Sequence, residues 1–191
     1  GFRETFGGIH QKYNVEPDMA MYGKTIGNGY ALTAVVGKKS VMEAAQSTFI
    51  SSTFWTERIG PTAALATLKE MERVKSWEVI TENGRKMQEG WEYLANLHGL
   101  DITLAGIPAL STYSFNSIDA LSYKTLISQE MLKKGILAST NFYASTAHSN
   151  VEFEIYFNVL DEIFAKISKC EAGEINTGDL IEGPICHSGF K

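Results

Sequence analysis

The stretch Tyr13-Asn14-Val15-Glu16-Pro17-Asp18-Met19-Ala20-Met21-Tyr22-Gly23-Lys24-Thr25-Ile26-Gly27-Asn28-Gly29-Tyr30 decides how this chain is read. Met19 to Tyr22 is a short run that ends at Gly23-Lys24 and reads as a buried strand. Ala31 to Val36 is a second, clearer strand, β-branched at its end and closed by Gly37. Gly27-Asn28-Gly29 between them is a turn signal. Lys24 therefore lies at the mouth of a loop joining two strands.

Gly23-Lys24-Thr25 invites a phosphate-loop reading, which fails. That motif needs a glycine five residues before the Gly-Lys pair, and position 18 is aspartate. A dinucleotide GxGxxG is absent as well, because Leu32 stands at the third glycine position. Two readings of the lysine remain from its local setting. It is an ordinary exposed loop lysine, the common state of that residue, or it is an amine that attacks a carbonyl. An amine of the second kind must be neutral part of the time, and an apolar enclosure favours the neutral form. Flanking glycines let the backbone approach a flat cofactor.

Outward from this stretch, Ser40 and Glu43 have the spacing of a capping box opening a short helix through Gln46. Phe49 to Phe54 reads as extended chain. Gly60-Pro61 starts a helix, with proline in the first turn where its missing N–H costs nothing. Leu65, Leu68, Met71 and Val74 share one face, and Trp77, Ile80, Met87, Trp91 and Leu94 continue a stripe. The pattern predicts one long helix, weakened at Gly84 and Gly90. Beyond His98, Leu100–Leu104 and Leu110–Phe115 read as strands, Leu121–Lys134 as a helix ended by Gly135, and Ile136–Ser139 as a short strand. Asn150 with Glu152 and Glu154 marks the start of a last helix running to about Ile167.

Composition bounds the function. Apolar residues make up 44% and charged residues 20%, as in an ordinary globular protein. A net charge of −5 gives no basic footprint, so nucleic acid is not an expected partner. No apolar run is long enough to span a membrane, and no signal-peptide pattern stands at the start. Two cysteines, Cys170 and Cys186, make neither a disulfide framework nor a metal site, and a reducing cytoplasm is the default compartment.

The string from Tyr13 to Tyr30 resembles the cofactor-lysine segment of class III aminotransferases, where a Pro-Asp pair leads a strand to Gly-Lys and a glycine-rich turn follows. Gly1-Phe2-Arg3 is similar to the end of that family's Asp-Glu-x-x-x-Gly-Phe-Arg segment. Ile50 to Phe54 resembles the segment whose threonine binds the cofactor phosphate of the neighbouring subunit, and Gly60 to Leu65 the helix start that follows it. Within the class the likeness is closest to glutamate-1-semialdehyde aminomutases, which Met131 to Ile136 and Ser145 to Ser149 also fit. The resemblance covers the chain to about Lys169.

The resemblance implies an α/β protein: the end of the large cofactor domain of a fold-type I pyridoxal-phosphate transferase over residues 1–75, a connecting helix over 76–97, and a small α+β C-terminal domain over 98–191, its tail loosely ordered from about 170. It implies amino-group transfer by a transaminase or an aminomutase, acting on a small amino or keto substrate in a cytoplasmic homodimer. Lys24 would be the catalytic residue, joined to pyridoxal 5'-phosphate as a Schiff base. The Thr53 hydroxyl would donate to the phosphate across the subunit interface, with Ser52 a lesser candidate. No metal is implied. Arg3 is either a substrate-carboxylate clamp or one half of a structural ion pair, His148 is structural, and Trp55 and Trp91 are packing residues. The sequence also departs from the family. The aspartate that pairs with the pyridine nitrogen, the phosphate-binding glycine/serine turn and the stacking aromatic would all precede Gly1. Trp55-Thr56-Glu57-Arg58-Ile59-Gly60-Pro61 stands where members carry Gly-Asn-Pro. A second reading follows from the first departure: a truncated, catalytically incomplete fragment that keeps only folding and association surfaces. A plain interaction module with a chance lysine motif is a third.

Overall fold

The computed structural model describes residues 3–189. It divides into two compact units, Gly1–Val79 and Ile80–Lys191. In the first unit, strands β1 (Met19–Tyr22) and β2 (Ala34–Gly37) pair antiparallel, with Met19 opposite Gly37 and Tyr22 opposite Ala34. The expected buried strand is instead half-exposed. Met19 and Met21 face outward, Met21 at 84% exposure, because a two-stranded sheet leaves a face uncovered among the described residues.

Helix α1 (Lys39–Met42) is a single turn that continues as a 3-10 segment, Glu43–Ser47. The capping box expected at Ser40 and Glu43 does not form. The helix already begins at Lys39, so Ser40 lies inside it, and the N-cap Lys38 has no side-chain cap. Phe49–Phe54 is irregular, passing into a turn over residues 53–56 rather than forming a strand.

Helix α2 (Ile59–Val74) buries Gly60, Ala64 and Met71, a spacing of four and seven, while Leu65 is 61% exposed. Of the expected face, Met71 is buried and Leu68 and Val74 are half-buried; Leu65 alone turns outward, and Ala64 takes its place in the buried stripe. The single long helix of the sequence reading is two helices. Lys75 takes a left-handed φ of 49° and ends α2, and α3 (Ser76–Leu97) begins at the next residue. The boundary between the units falls inside α3.

The second unit has one core. Strands β3 (Ile102–Ile107), β4 (Leu110–Phe115) and β5 (Asn141–Tyr143) form an antiparallel sheet in that order. Along β4, Ser111, Tyr113 and Phe115 alternate inward. Tyr113 and Phe115 share a core with Met87, Trp91 and Leu94 of α3, Leu126, Ile127 and Met131 of α4 (Ala120–Lys133), and a stripe from Phe153 to Ile167 on α5 (Asn150–Glu171). Tyr113 packs on Trp91 at 4.6 Å and edge-on to Phe164 at 6.1 Å. The short strand expected at Ile136–Ser139 is irregular chain, and the strand lies at Asn141–Tyr143, where the register with Leu110–Thr112 selects it.

Two details of this unit follow from side-chain chemistry. Helix α5 opens with a true capping box: Ser149 Oγ accepts from Val151 N at 3.3 Å, and the Ser149 N–H donates to Glu152 Oε2 at 2.7 Å. Beyond the end of α5 at Glu171 the tail forms a 3-10 turn, Thr177–Asp179, in otherwise irregular chain, and is held along α4. Gln129 donates to Leu180 O at 2.9 Å and accepts from Glu182 N at 2.8 Å, and Leu180 and Ile181 pack on the core.

Glu130 sits between Lys133 and Lys166, at 2.8 and 2.7 Å. Burial pushes its carboxyl up, but hydrogen bonds from Lys133, Lys166 and Gln129 outweigh that and bring it down from 4.5 to about 2. A depressed carboxyl stabilises the fold fully above its unfolded value and loses that contribution as pH falls toward the folded value. Both lysines are 44% exposed, so screening limits the effect to about 1–2 kcal/mol. Glu130→Gln should therefore melt below the parent at neutral pH, and the gap should close between pH 4.5 and 2. Melting curves across that window check it; a gap unchanged at pH 2 would contradict the assignment.

Candidate active site

The first unit positions the lysine through its turn. After β1 the chain is extended at Gly23, with φ −155°, and then swings to φ 49° at Lys24, where a 3-10 turn, Lys24–Ile26, begins. The Lys24 carbonyl accepts from Gly27 N at 3.1 Å and Asn28 N at 3.2 Å, and Gly27 O accepts from Tyr30 N at 3.1 Å. Gly27 is buried, and a Cβ there would lie 2.1 Å from Tyr30 O, so the turn closes only with glycine. Asn28 and Gly29 also take positive φ, 44° and 107°. A lysine in the left-handed region costs about 1–2 kcal/mol, and it persists only where the surrounding backbone enforces it.

The Lys24 side chain is exposed, and among the described residues its amine has no hydrogen bond or ion pair. The apolar enclosure expected round it is not supplied by these residues. Ser52 and Thr53 are exposed too. Ser52 Oγ accepts from Phe54 N at 3.2 Å, which leaves its O–H proton available. The Thr53 hydroxyl has no partner among the described residues. Phe49, Phe54 and Trp55 flank the threonine at 96, 71 and 67% exposure. Trp55 is thus not a packing residue within this chain, whereas Trp91 is fully buried.

Helix α2 packs against the lysine turn. At its start Gly60 is buried, and a Cβ there would lie 2.8 Å from Ala31 O and 3.5 Å from the Leu32 Cβ. Glu57, which the sequence reading passed over, caps this end. Its carboxylate accepts from the amides of Ile59 and Gly60. A carboxylate two residues ahead of an apolar helix start was the available signal.

His148 Nδ1 accepts from Ser145 N at 3.1 Å, and its ring lies 4.9 Å from Phe142. It lines a cavity of about 450 Å³ with Met87, Trp91, Phe153 and Tyr156, entirely within the second unit and without Lys24 or Thr53. Arg3 is half-buried; Gly1 and Phe2, beside it in the family-like segment, lie outside the described residues. Among the described residues no cluster of histidine, cysteine or carboxylates suits a metal, and no helix is long and apolar enough to cross a membrane.

Comparison with known proteins bears out the family resemblance. The family profile described as aminotransferase class III matches residues 4–147. A 3-aminobutyryl-CoA aminotransferase of Cloacimonas acidaminovorans is 27% identical over 175 residues, 88% of this chain and 42% of the relative. A glutamate-1-semialdehyde 2,1-aminomutase of Thermodesulfovibrio yellowstonii is 30% identical over 184 residues, 87% of this chain and 43% of the relative. The chain thus spans less than half the length of these curated relatives. Among solved structures, the FumI protein of a Sphingopyxis species superposes with a TM-score of 0.80 at 23% identity, over 95% of this chain and 44% of that one. An omega-transaminase from Sphaerobacter thermophilus gives 0.76 at 18% identity, over 88 and 42%. At these identities the likeness establishes the fold, that of the fold-type I transaminases.

Proposed function

Since the chain belongs to the class-III aminotransferase family, we propose that it is part of a pyridoxal-phosphate-dependent enzyme that moves an amino group, between two molecules or within one, and that Lys24 carries the cofactor. The observation that carries this reading is the lysine turn. A glycine-locked backbone holds Lys24 at positive φ, with an exposed amine that no described residue engages. The donor set fits the group: a primary amine for its aldehyde, and the Thr53 and Ser52 hydroxyls for its phosphate. When bound, the cofactor supplies an electron-withdrawing ring that accepts the electrons released at the substrate carbon.

This chain's own residues do the rest. Lys24 Nζ binds the cofactor at rest. With cofactor and amino substrate bound, Nζ would take a proton from the substrate carbon and return it at the acceptor carbon. Thr53 Oγ1 donates to the phosphate, and Ser52 adds its remaining O–H. We place this contact across the interface of a homodimer. The exposed Phe49, Phe54 and Trp55 beside Thr53 support that reading, because apolar side chains grouped in this way mark a surface that is covered in an assembly. In this reading residues 1–75 close the large cofactor domain, 76–97 connect, and 98–191 form the small domain. The two free cysteines suit a reducing, cytoplasmic setting.

The test uses the full-length enzyme. Borohydride reduction followed by peptide mapping should fix the cofactor on Lys24 and remove the visible absorbance of the bound form. Label on a different lysine would overturn the assignment.

A further inference from the structure

We infer that Glu57 is a positioning residue that fixes the Thr53 turn to the start of α2, and so sets the grip on the cofactor phosphate. The inference rests on the reading of Thr53 given above. Glu57 bonds in two directions. Its backbone N–H donates to Phe54 O at 3.1 Å and closes the 53–56 turn, whose other side is held by Phe54 N on Ser52 Oγ at 3.2 Å. Its carboxylate points the other way and takes the first two amides of α2, with Oε1 on Ile59 N and Oε2 on Gly60 N, the latter at 3.1 Å. The formal N-cap, Arg58, contributes no side-chain cap. An anionic acceptor at this position is favoured by the partial positive charge of the helix end.

The helix start is itself anchored. Gly60 presses on the backbone of Ala31, and α2 packs against the Lys24–Ile26 turn. Glu57 passes that fixed position on to the Thr53 turn. Little else holds the turn: residues 48–56 are outside helix and strand, and Phe49 to Thr56 are exposed. Removing the carboxylate therefore leaves the Thr53 hydroxyl present but loosely placed, and the effect falls on the phosphate end of the cofactor alone.

Titration of the full-length apoenzyme with pyridoxal phosphate and with pyridoxal, which lacks the phosphate, tests this. Glu57→Ala should raise the Kd for pyridoxal phosphate about 10-fold, on the scale of a lost charged cap, and leave the Kd for pyridoxal within about two-fold. Glu57→Gln keeps one capping acceptor and should lie between, at about three-fold; it carries the same comparison should the alanine variant fold poorly. Thr53→Ala should weaken pyridoxal phosphate in the same selective way, and adding Glu57→Ala to it should weaken binding no further. Equal losses for both ligands would mean that Glu57 merely supports the fold, and would overturn the proposal. So would no loss in Glu57→Ala where Thr53→Ala is impaired, an outcome that keeps the Thr53 reading. If Thr53→Ala binds as well as the parent, the Thr53 reading falls, and the Glu57 proposal with it.

Discussion

Lys24→Ala in the full-length enzyme should lower turnover by about 10³-fold or more on the proposed reading, in which the variant would lose both the nucleophile and the proton carrier. Lys24→Arg should do no better. It keeps the positive charge and similar reach, but a guanidinium stays protonated and does not attack a carbonyl. Adding a small primary amine to the Lys24→Ala variant should restore part of the rate in proportion to its concentration, because in that reading the missing group is a base and nucleophile rather than a structural prop. The fold should be little affected: the Lys24 side chain is exposed and makes no contact that the turn depends on, the bonds there being backbone. Melting temperature of the apo form, turnover and amine rescue are the three readouts. Turnover within 10-fold of the parent would remove Lys24 from the chemistry, by the magnitude expected of a positioned general base.

The strained φ at Lys24 separates what the sequence shows from what it hides. The glycines at 23, 27 and 29 announce a tight turn, and β1 falls at the residues read as a strand, because punctuation of this kind is local. The sign of φ at a lysine is not local. It is imposed by bonds from Gly27 and Asn28 back to the Lys24 carbonyl. The same division recurs elsewhere. The capping box that forms, Ser149 with Glu152, and the one that does not, Ser40 with Glu43, have identical spacing. Only the second sits where the helix has already begun. Strand β5 carries no pattern of its own: Asn141–Tyr143 is chosen over the more apolar Ile136–Ala138 by its register against β4. The lysine, the threonine and the serine were legible as residue types in a familiar string. Glu57 was legible only as a carboxylate just ahead of an apolar helix start; the two amides it takes are neighbours only once α2 exists.

Gly84 gives the sharpest case of a local rule reversed by packing. Read as sequence, a glycine inside α3 weakens the helix, and Gly84→Ala should stabilise by about 1 kcal/mol. In the fold, a Cβ at Gly84 would lie 1.9 Å from Pro108 O, 2.1 Å from Pro108 C and 2.9 Å from Ala109 N. All three atoms are backbone of the turn between β3 and β4, and none can rotate away. The turn is also pinned. Ser111, 1% exposed, donates its hydroxyl to Pro108 O at 2.8 Å, and Ala109 is fully buried. Relief requires α3 to back off the hairpin, which loosens Trp91 and Met87 against Tyr113 in the same core. The expected result is a net loss of about 2–3 kcal/mol, overpacking outweighing propensity. Gly90 is the control on the same helix. There the atoms in the way belong to the ring of Phe157, a partly buried side chain that can swing aside, so Gly90→Ala should cost about 1 kcal/mol or less. Urea unfolding of the two variants decides between the rules. A Gly84→Ala midpoint at or above the parent's would mean that α3 does not approach the hairpin this closely. A clear loss at 84 with little at 90 would mean that the glycine is what lets helix and hairpin share one core.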